Sequence, residues 1–176
     1  MIKEKTIKQL ISEEEIQLQI NKLADKFNAM YGKEEVYMIC VLKGSVMFMV
    51  DLAKRLKMPV KMEFIRLSSY GAGTTTSGNV SAVDFSLPDL NGKNVLVVED
   101  IIDSGLTARY LVDTLNQKYQ FKDFKFCTLL NKKAKRKTEI DADFYGFEVE
   151  DKYLVGYGMD IDGCFRNLPY IGYIEE

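Results

Sequence analysis

VYMICVL (36–42), NVLVV (94–98) and FKFCTLL (124–130) are apolar runs of strand length, and VKMEFIRL (60–67) alternates moderately. Between them lie segments with helical spacing, VMFMVDLAKRL (46–56) and residues 107–119. A strand apolar at nearly every position must be covered on both faces. Such strands alternating with helices predict an α/β fold: a mostly parallel central sheet flanked by helices. In sheets of this kind ligands bind beyond the carboxyl ends of the strands.

Other elements follow from local signals. Ser12 and Glu15 form a capping-box pattern, and Ile16, Ile20, Leu23, Phe27 and Met30 then recur at helical spacing. Gly32 is suited to end that helix. In residues 68–79, nine of twelve are Gly, Ser or Thr, too polar to pack, so a loop is expected there. A further strand is expected over 80–86. KKAKRK (132–137) reads as a basic, exposed turn. The tail holds shorter strand-like pieces, DFYGF, KYLVGYGM and FRNLPYIGYI. No internal repeat or linker divides the chain, and 176 residues suit one domain.

Several function classes are disfavoured. A net charge of -2 gives no global support for nucleic-acid binding. No apolar run reaches the length of a membrane span, and MIKEKTIKQLISEEE carries no secretory h-region. Cys40, Cys127 and Cys164 are widely spaced and odd in number, which predicts reduced thiols in a cytoplasmic protein. The chain contains 0 histidines, so a Ser-His-Asp unit and a His-ligated zinc are impossible. A general base must be Asp, Glu, Lys, Tyr or Cys, and a metal must be a hard cation held by carboxylates, magnesium first among them.

The stretch NVLVVEDIIDSGLTA (94–108) joins a buried strand to a helix start and crowds Glu99, Asp100 and Asp103 at the junction. Asp103-Ser104-Gly105-Leu106-Thr107 taken alone reads first as an ordinary helix start with Asp103 or Ser104 as N-cap. Its glycine, free amides and Ser and Thr hydroxyls also fit a phosphate cradle. The pair Glu99 and Asp100 suits either a solvated strand end or the hydroxyls of a ribose, bonded directly or through a metal. The two ligand readings together describe one molecule, a ribose carrying a 5-phosphate.

This stretch resembles the phosphoribosyl-pyrophosphate signature of type I phosphoribosyltransferases. VLKGSVMFMVDLAKRL, Ser69-Tyr70, LLNKK, DFYGFEVEDKYLVGYGMD and FRNLPYIG, in that order, resemble the hypoxanthine and hypoxanthine-guanine branch of the family. The resemblance runs from about residue 36 to residue 172. It implies the type I fold with a small C-terminal hood, mainly 150–176, forming a purine pocket. It also implies a lid at 68–79, and transfer of 5-phosphoribosyl from phosphoribosyl pyrophosphate to a 6-oxopurine.

Site roles are carried over residue by residue. Resemblance gives Glu99 and Asp100 to the ribose hydroxyls, and Ser104, Gly105, Leu106 and Thr107 to the 5-phosphate. Leu106 stands where some relatives have Lys. Asp103 is the implied general base for the purine N7 proton. Lys43 and Gly44, at a turn whose Leu42-Lys43 peptide is cis in some relatives, face pyrophosphate with Ser69, Tyr70 and Arg166. Lys132 is implied to donate to the purine 6-oxo group, Tyr153 to stack on the base, and Ile101 and Leu154 to wall it. Backbone groups at Leu154 and Asp160 are implied at the base edge, and Glu99, Asp100 and Asp160 as magnesium ligands. The family also implies a homodimer or homotetramer. Other readings are a regulator that keeps the ribose-donor loop or binds RNA, and an unrelated nucleotide binder. The presence of Lys132, Tyr153 and Asp160 favours the enzyme.

Overall fold

The computed structural model describes residues 6–69, 80–84 and 86–175. Its elements are β1 (Ile7–Ile11), α1 (Glu13–Tyr31), β2 (Val36–Leu42), α2 (Val46–Ala53), β3 (Val60–Ser69), β4 (Val80–Asp84), β5 (Asn94–Ile102), α3 (Leu106–Lys118), β6 (Asp123–Asn131), β7 (Phe144–Glu148), β8 (Leu154–Val155) and β9 (Ile171–Ile174).

The capping box at the start of α1 is formed: Glu15 N donates to Ser12 Oγ at 3.2 Å, and Ser12 N donates to Glu15 Oε2 at 2.8 Å. The buried stripe departs from expectation at its end. Tyr31, not Met30, completes it, and Met30 is exposed. Residue 31 lies four after Phe27 and stays on the same helix face, and its hydroxyl donates to Asp123 Oδ2 at 2.9 Å. Helix α2 stops at Ala53, short of residue 56, because the chain tightens into three-residue turns, Arg55 N to Leu52 O and Leu56 N to Ala53 O. Strand β3 continues through Ser69 because β4 pairs with it antiparallel. From residue 70 the expected lid lies outside the described residues.

The main sheet has the order β4-β3-β2-β5-β6-β7. Strands β3, β2, β5, β6 and β7 are parallel, and β4 is an antiparallel edge. Alternate residues of β2 serve opposite faces. Val36, Met38 and Cys40 pack under α1 and α2, whereas Tyr37, Ile39 and Val41 pack with α3 residues Ala108, Leu111 and Leu115. Coverage on both sides is why this strand reads as an unbroken apolar run. Cys40 of β2 and Cys127 of β6 are buried and Cys164 is exposed, all three as free thiols.

A second sheet, β1-β9-β8, is antiparallel and forms a hood. Strand β1 was not expected from sequence. Its pairing, Ile7 with Ile174 and Lys8 with Tyr173, joins opposite ends of the chain, so no local pattern announces it. The hood is tied to α2 by Tyr157, whose hydroxyl donates to Asp51 Oδ2 at 2.6 Å. No helix among the described residues is long and apolar enough to cross a membrane.

Burial alone would raise the Asp51 carboxyl. Hydrogen bonds from Tyr157 and Gln17, with Lys54 adjacent, outweigh it and hold the group below the usual carboxylate range. A carboxyl lowered on folding contributes stability above its unfolded pKa of ~3.9, and the contribution is lost as pH falls through the folded value. Tyr157→Phe is therefore expected to destabilise the protein by about 1.5–3 kcal/mol at neutral pH. Urea unfolding at several pH values should show the gap from wild type closing as Asp51 is protonated.

Candidate active site

Strands β2 and β5 are neighbours, and their crossover helices leave to opposite faces, α2 to one and α3 to the other. Their carboxyl ends therefore flank an uncovered crevice. Three adjoining hollows occupy it.

The first, of about 250 Å³, is lined by Asp100, Ile101, Asp103, Lys132, Lys152, Tyr153, Leu154, Met159 and Asp160. Lys132 follows β6 and is only 6% exposed. A buried ammonium needs acceptors. Its Nζ lies 2.9 Å from Asp151 Oδ1 and 3.5 Å from Asp103 Oδ2, and donates to Lys152 O at 3.4 Å. Asp103 Oδ1 is buried and, among the described residues, has no hydrogen-bond partner, an acceptor without a donor. Tyr153, 58% exposed, and buried Leu154 form apolar wall.

The run 132–137 is not the uniformly exposed turn its composition suggests. Lys132 is buried and Arg136 half-buried. Arg136 donates through Nε to Asp103 O at 3.1 Å, through Nη2 to Asn131 Oδ1 at 2.5 Å, and through Nη1 to Ile140 O. It thereby ties the loop after β6 to the one after β5. The exposed Lys133 and Lys135 pair with Glu148 and Asp151.

The second hollow, about 100 Å³, is bordered by Glu99, Ile101, Ile102, Asp103, Ser104, Gly105, Thr107 and Ala108. It lies at the start of α3, where first-turn amides have no partner within the helix. Gly105 has φ of 81°, and a Cβ there would meet Thr138 Oγ1 at 2.5 Å and Arg136 Cδ at 2.8 Å. Both the turn and its packing call for glycine. Leu106 does not border the hollow; its amide donates to Ser104 Oγ at 3.4 Å.

The third hollow, about 330 Å³, brings Lys43 and Gly44 beside Glu99, Asp100, Thr107, Asp160 and Arg166. The Leu42-Lys43 peptide is cis. Arg166 bonds Asp160 Oδ1 at 2.6 Å and Gly158 O at 2.6 Å. Gly158 approaches the β2–α2 turn so closely that a Cβ on it would lie 1.9 Å from Gly44 O. Burial, reinforced by the neighbouring Asp100 carboxylate, pushes the Glu99 carboxyl above its ordinary range. Among the described residues no three metal-ligating side chains form one cage. Glu99, Asp100 and Asp160 nevertheless border one hollow, and such oxygen donors fit a hard cation that completes its shell with water and substrate oxygens.

Ser69 ends β3, and Tyr70 lies outside the described residues. Sequence reasoning did not single out Asp151, Lys152, Met159 or Arg136. Asp151 and Arg136 read locally as members of charged runs, and Lys152 bonds Lys132 through its carbonyl, which side-chain patterns do not report.

The phosphoribosyl transferase domain family matches residues 6–162. The hypoxanthine-guanine phosphoribosyltransferase of Bacillus subtilis is 43% identical over 175 residues, 99% of this chain and 97% of that protein. The bifunctional protein TilS/HprT of Listeria monocytogenes is 44% identical over 168 residues, 96% of this chain but 26% of that protein. A crystal structure of a hypoxanthine-guanine phosphoribosyltransferase from Bacillus anthracis superposes with a TM-score of 0.90 at 43% identity, covering 97% of this chain and 100% of that one.

The approach of Gly158 to Gly44 is testable. Gly158→Ala must separate the hood segment from the β2–α2 turn, and its φ of 101° adds backbone strain. A loss of about 1–3 kcal/mol is expected in urea unfolding; an unchanged midpoint would show that the approach is not required.

Proposed function

The chain belongs to the phosphoribosyl transferase family, and from that premise we propose that it transfers the 5-phosphoribosyl group of phosphoribosyl pyrophosphate to a 6-oxopurine, hypoxanthine and also guanine, in purine salvage. The observation that carries this reading is the buried Lys132 ammonium in a hollow that shares Asp103 with the hollow at the start of α3. One ligand with a base at one end and a phosphate at the other spans the two.

In this reading the first-turn amides of α3, with Ser104 and Thr107, hold the 5-phosphate. Glu99 and Asp100 accept from the ribose hydroxyls. The Lys43-Gly44 turn and Arg166 face the pyrophosphate. Asp100, Glu99 and Asp160 would hold magnesium together with substrate oxygens; bound there, the ion offsets negative charge on the leaving group. The bond from ribose C1 to pyrophosphate breaks with its electron pair on pyrophosphate. Purine N9 bonds to C1, and the N7 proton passes to Asp103. Positive charge building on the sugar is stabilised by the carboxylates around it.

Selectivity for the base follows from Lys132, an ammonium that only donates. It pairs with a 6-oxo group and opposes a 6-amino group. Tyr153 and Ile101 cover the base faces. The reading extends to a cytoplasmic homodimer or homotetramer. Its supports are the free cysteines and the exposed apolar side chains Met47, Met62 and Phe64.

A magnesium-dependent assay with phosphoribosyl pyrophosphate and each of hypoxanthine, guanine, xanthine and adenine tests the proposal. Nucleotide is expected from 6-oxopurines and none from adenine; no product from any base would refute it. Asp103→Asn should lower kcat by roughly 10²–10⁴-fold, the usual contribution of a positioned acid or base, with donor KM little changed. Lys132→Ala should raise the purine KM far more than the donor KM, and equal losses would contradict the pocket assignment.

A further inference from the structure

Lys132 has three N–H bonds, and among the described residues its ammonium faces three oxygens at unequal distances. Asp151 Oδ1 is the near one at 2.9 Å; Lys152 O at 3.4 Å and Asp103 Oδ2 at 3.5 Å are looser. Attraction between an ammonium and a carboxylate rises as their separation falls, so the closest ion pair, at 2.9 Å, makes Asp151 the tether. Asp151 does not border the Lys132 hollow. It lines a separate one with Tyr173, Ile174 and Glu175. Whatever it does for a ligand in the first hollow, it does through Lys132.

We propose that Asp151 is a positioning and specificity-determining residue, which draws the Lys132 ammonium away from Asp103 and aims it at the purine. The inference rests on the transferase reading given above. Lys132 and Asp103 are 3.5 Å apart, close enough to collapse into a direct ion pair if nothing holds the ammonium elsewhere. That pair would occupy both the donor meant for the 6-oxo group and the acceptor meant for the N7 proton. With Asp151 in place, an arriving 6-oxo group replaces the weakest contact, that with Asp103, and frees the carboxylate. Asp151 is itself fixed from both sides, since Oδ2 pairs with Lys135 Nζ at 3.0 Å. Lys132 and then Lys135 hold its carboxyl below the usual range, which keeps it charged.

The test compares Asp151→Ala and Asp151→Glu with wild type under steady-state conditions, using hypoxanthine and phosphoribosyl pyrophosphate, with donor binding measured by calorimetry. Asp151→Ala is expected to reduce kcat/KM for hypoxanthine roughly 10- to 100-fold, the range seen when groups that orient functional ligands are removed. Both a higher purine KM and a lower kcat should contribute, while donor affinity stays within about twofold. Asp151→Glu, which restores a carboxylate, should recover most of the loss. An Asp151→Ala protein that is as active as wild type overturns the inference alone. So does one that loses donor and purine affinity equally, because that is the mark of a general structural defect. A wild-type protein that turns over no 6-oxopurine overturns the transferase reading and this inference with it.

Discussion

The parallel pairing of β2 with β5 is the constraint on which the rest of the site depends. Its register sets Val36 beside Asn94 and Cys40 beside Val98, so the turns after both strands open at one edge of the sheet. Because α2 packs on one face and α3 on the other, neither helix covers that edge. The crevice is thus a product of topology, and it would exist whatever residues lined it. The crevice carries carboxylates from β5 and is bordered by the segment after β7, which reaches back onto α2 through Tyr157 and Asp51.

The electrostatics of the crevice are organised by position more than by count. Glu99 is buried and its carboxyl is pushed up by burial and by Asp100. Asp160 is paired with Arg166, and Asp151 with Lys132 and Lys135. Asp103 has one oxygen loosely paired with Lys132 and the other, among the described residues, without a hydrogen-bond partner. A buried oxygen left without a donor is costly. It is consistent with a group whose partner arrives with the substrate. The acids that looked excessive along 99–103 are therefore partly compensated within the protein and partly suited to a sugar that becomes positive during reaction.

Much of this was legible in the sequence, for definite reasons. The strands of the main sheet announced themselves because burial on both faces leaves no polar alternation, and α1 because its cap is a local motif. What depended on distant parts of the chain was not legible. Strand β1 pairs with β9 from the other end of the chain, and Tyr31, which takes the place expected of Met30 in the core stripe, bonds the distant Asp123. The inward turn of Lys132 and Arg136 was hidden within a basic run, although resemblance had marked Lys132. Asp151 had no local signal, since an acid in EVEDK reads as solvated until the loop after β6 is laid against it. Gly158 likewise looked like an ordinary turn glycine; only the folded hood reveals the Gly44 carbonyl against it.

In the proposed function one ligand spans the start of α3 and Lys132, with its base and its phosphate held by the two ends of the same crevice. A crystal structure with inosine 5′-monophosphate bound tests this most directly. The phosphate is expected on the amides around Ser104, Gly105 and Thr107, the 6-oxo oxygen on Lys132 Nζ, and Lys132 still paired with Asp151. A nucleotide bound with its phosphate elsewhere, or with its base away from Lys132, would contradict it.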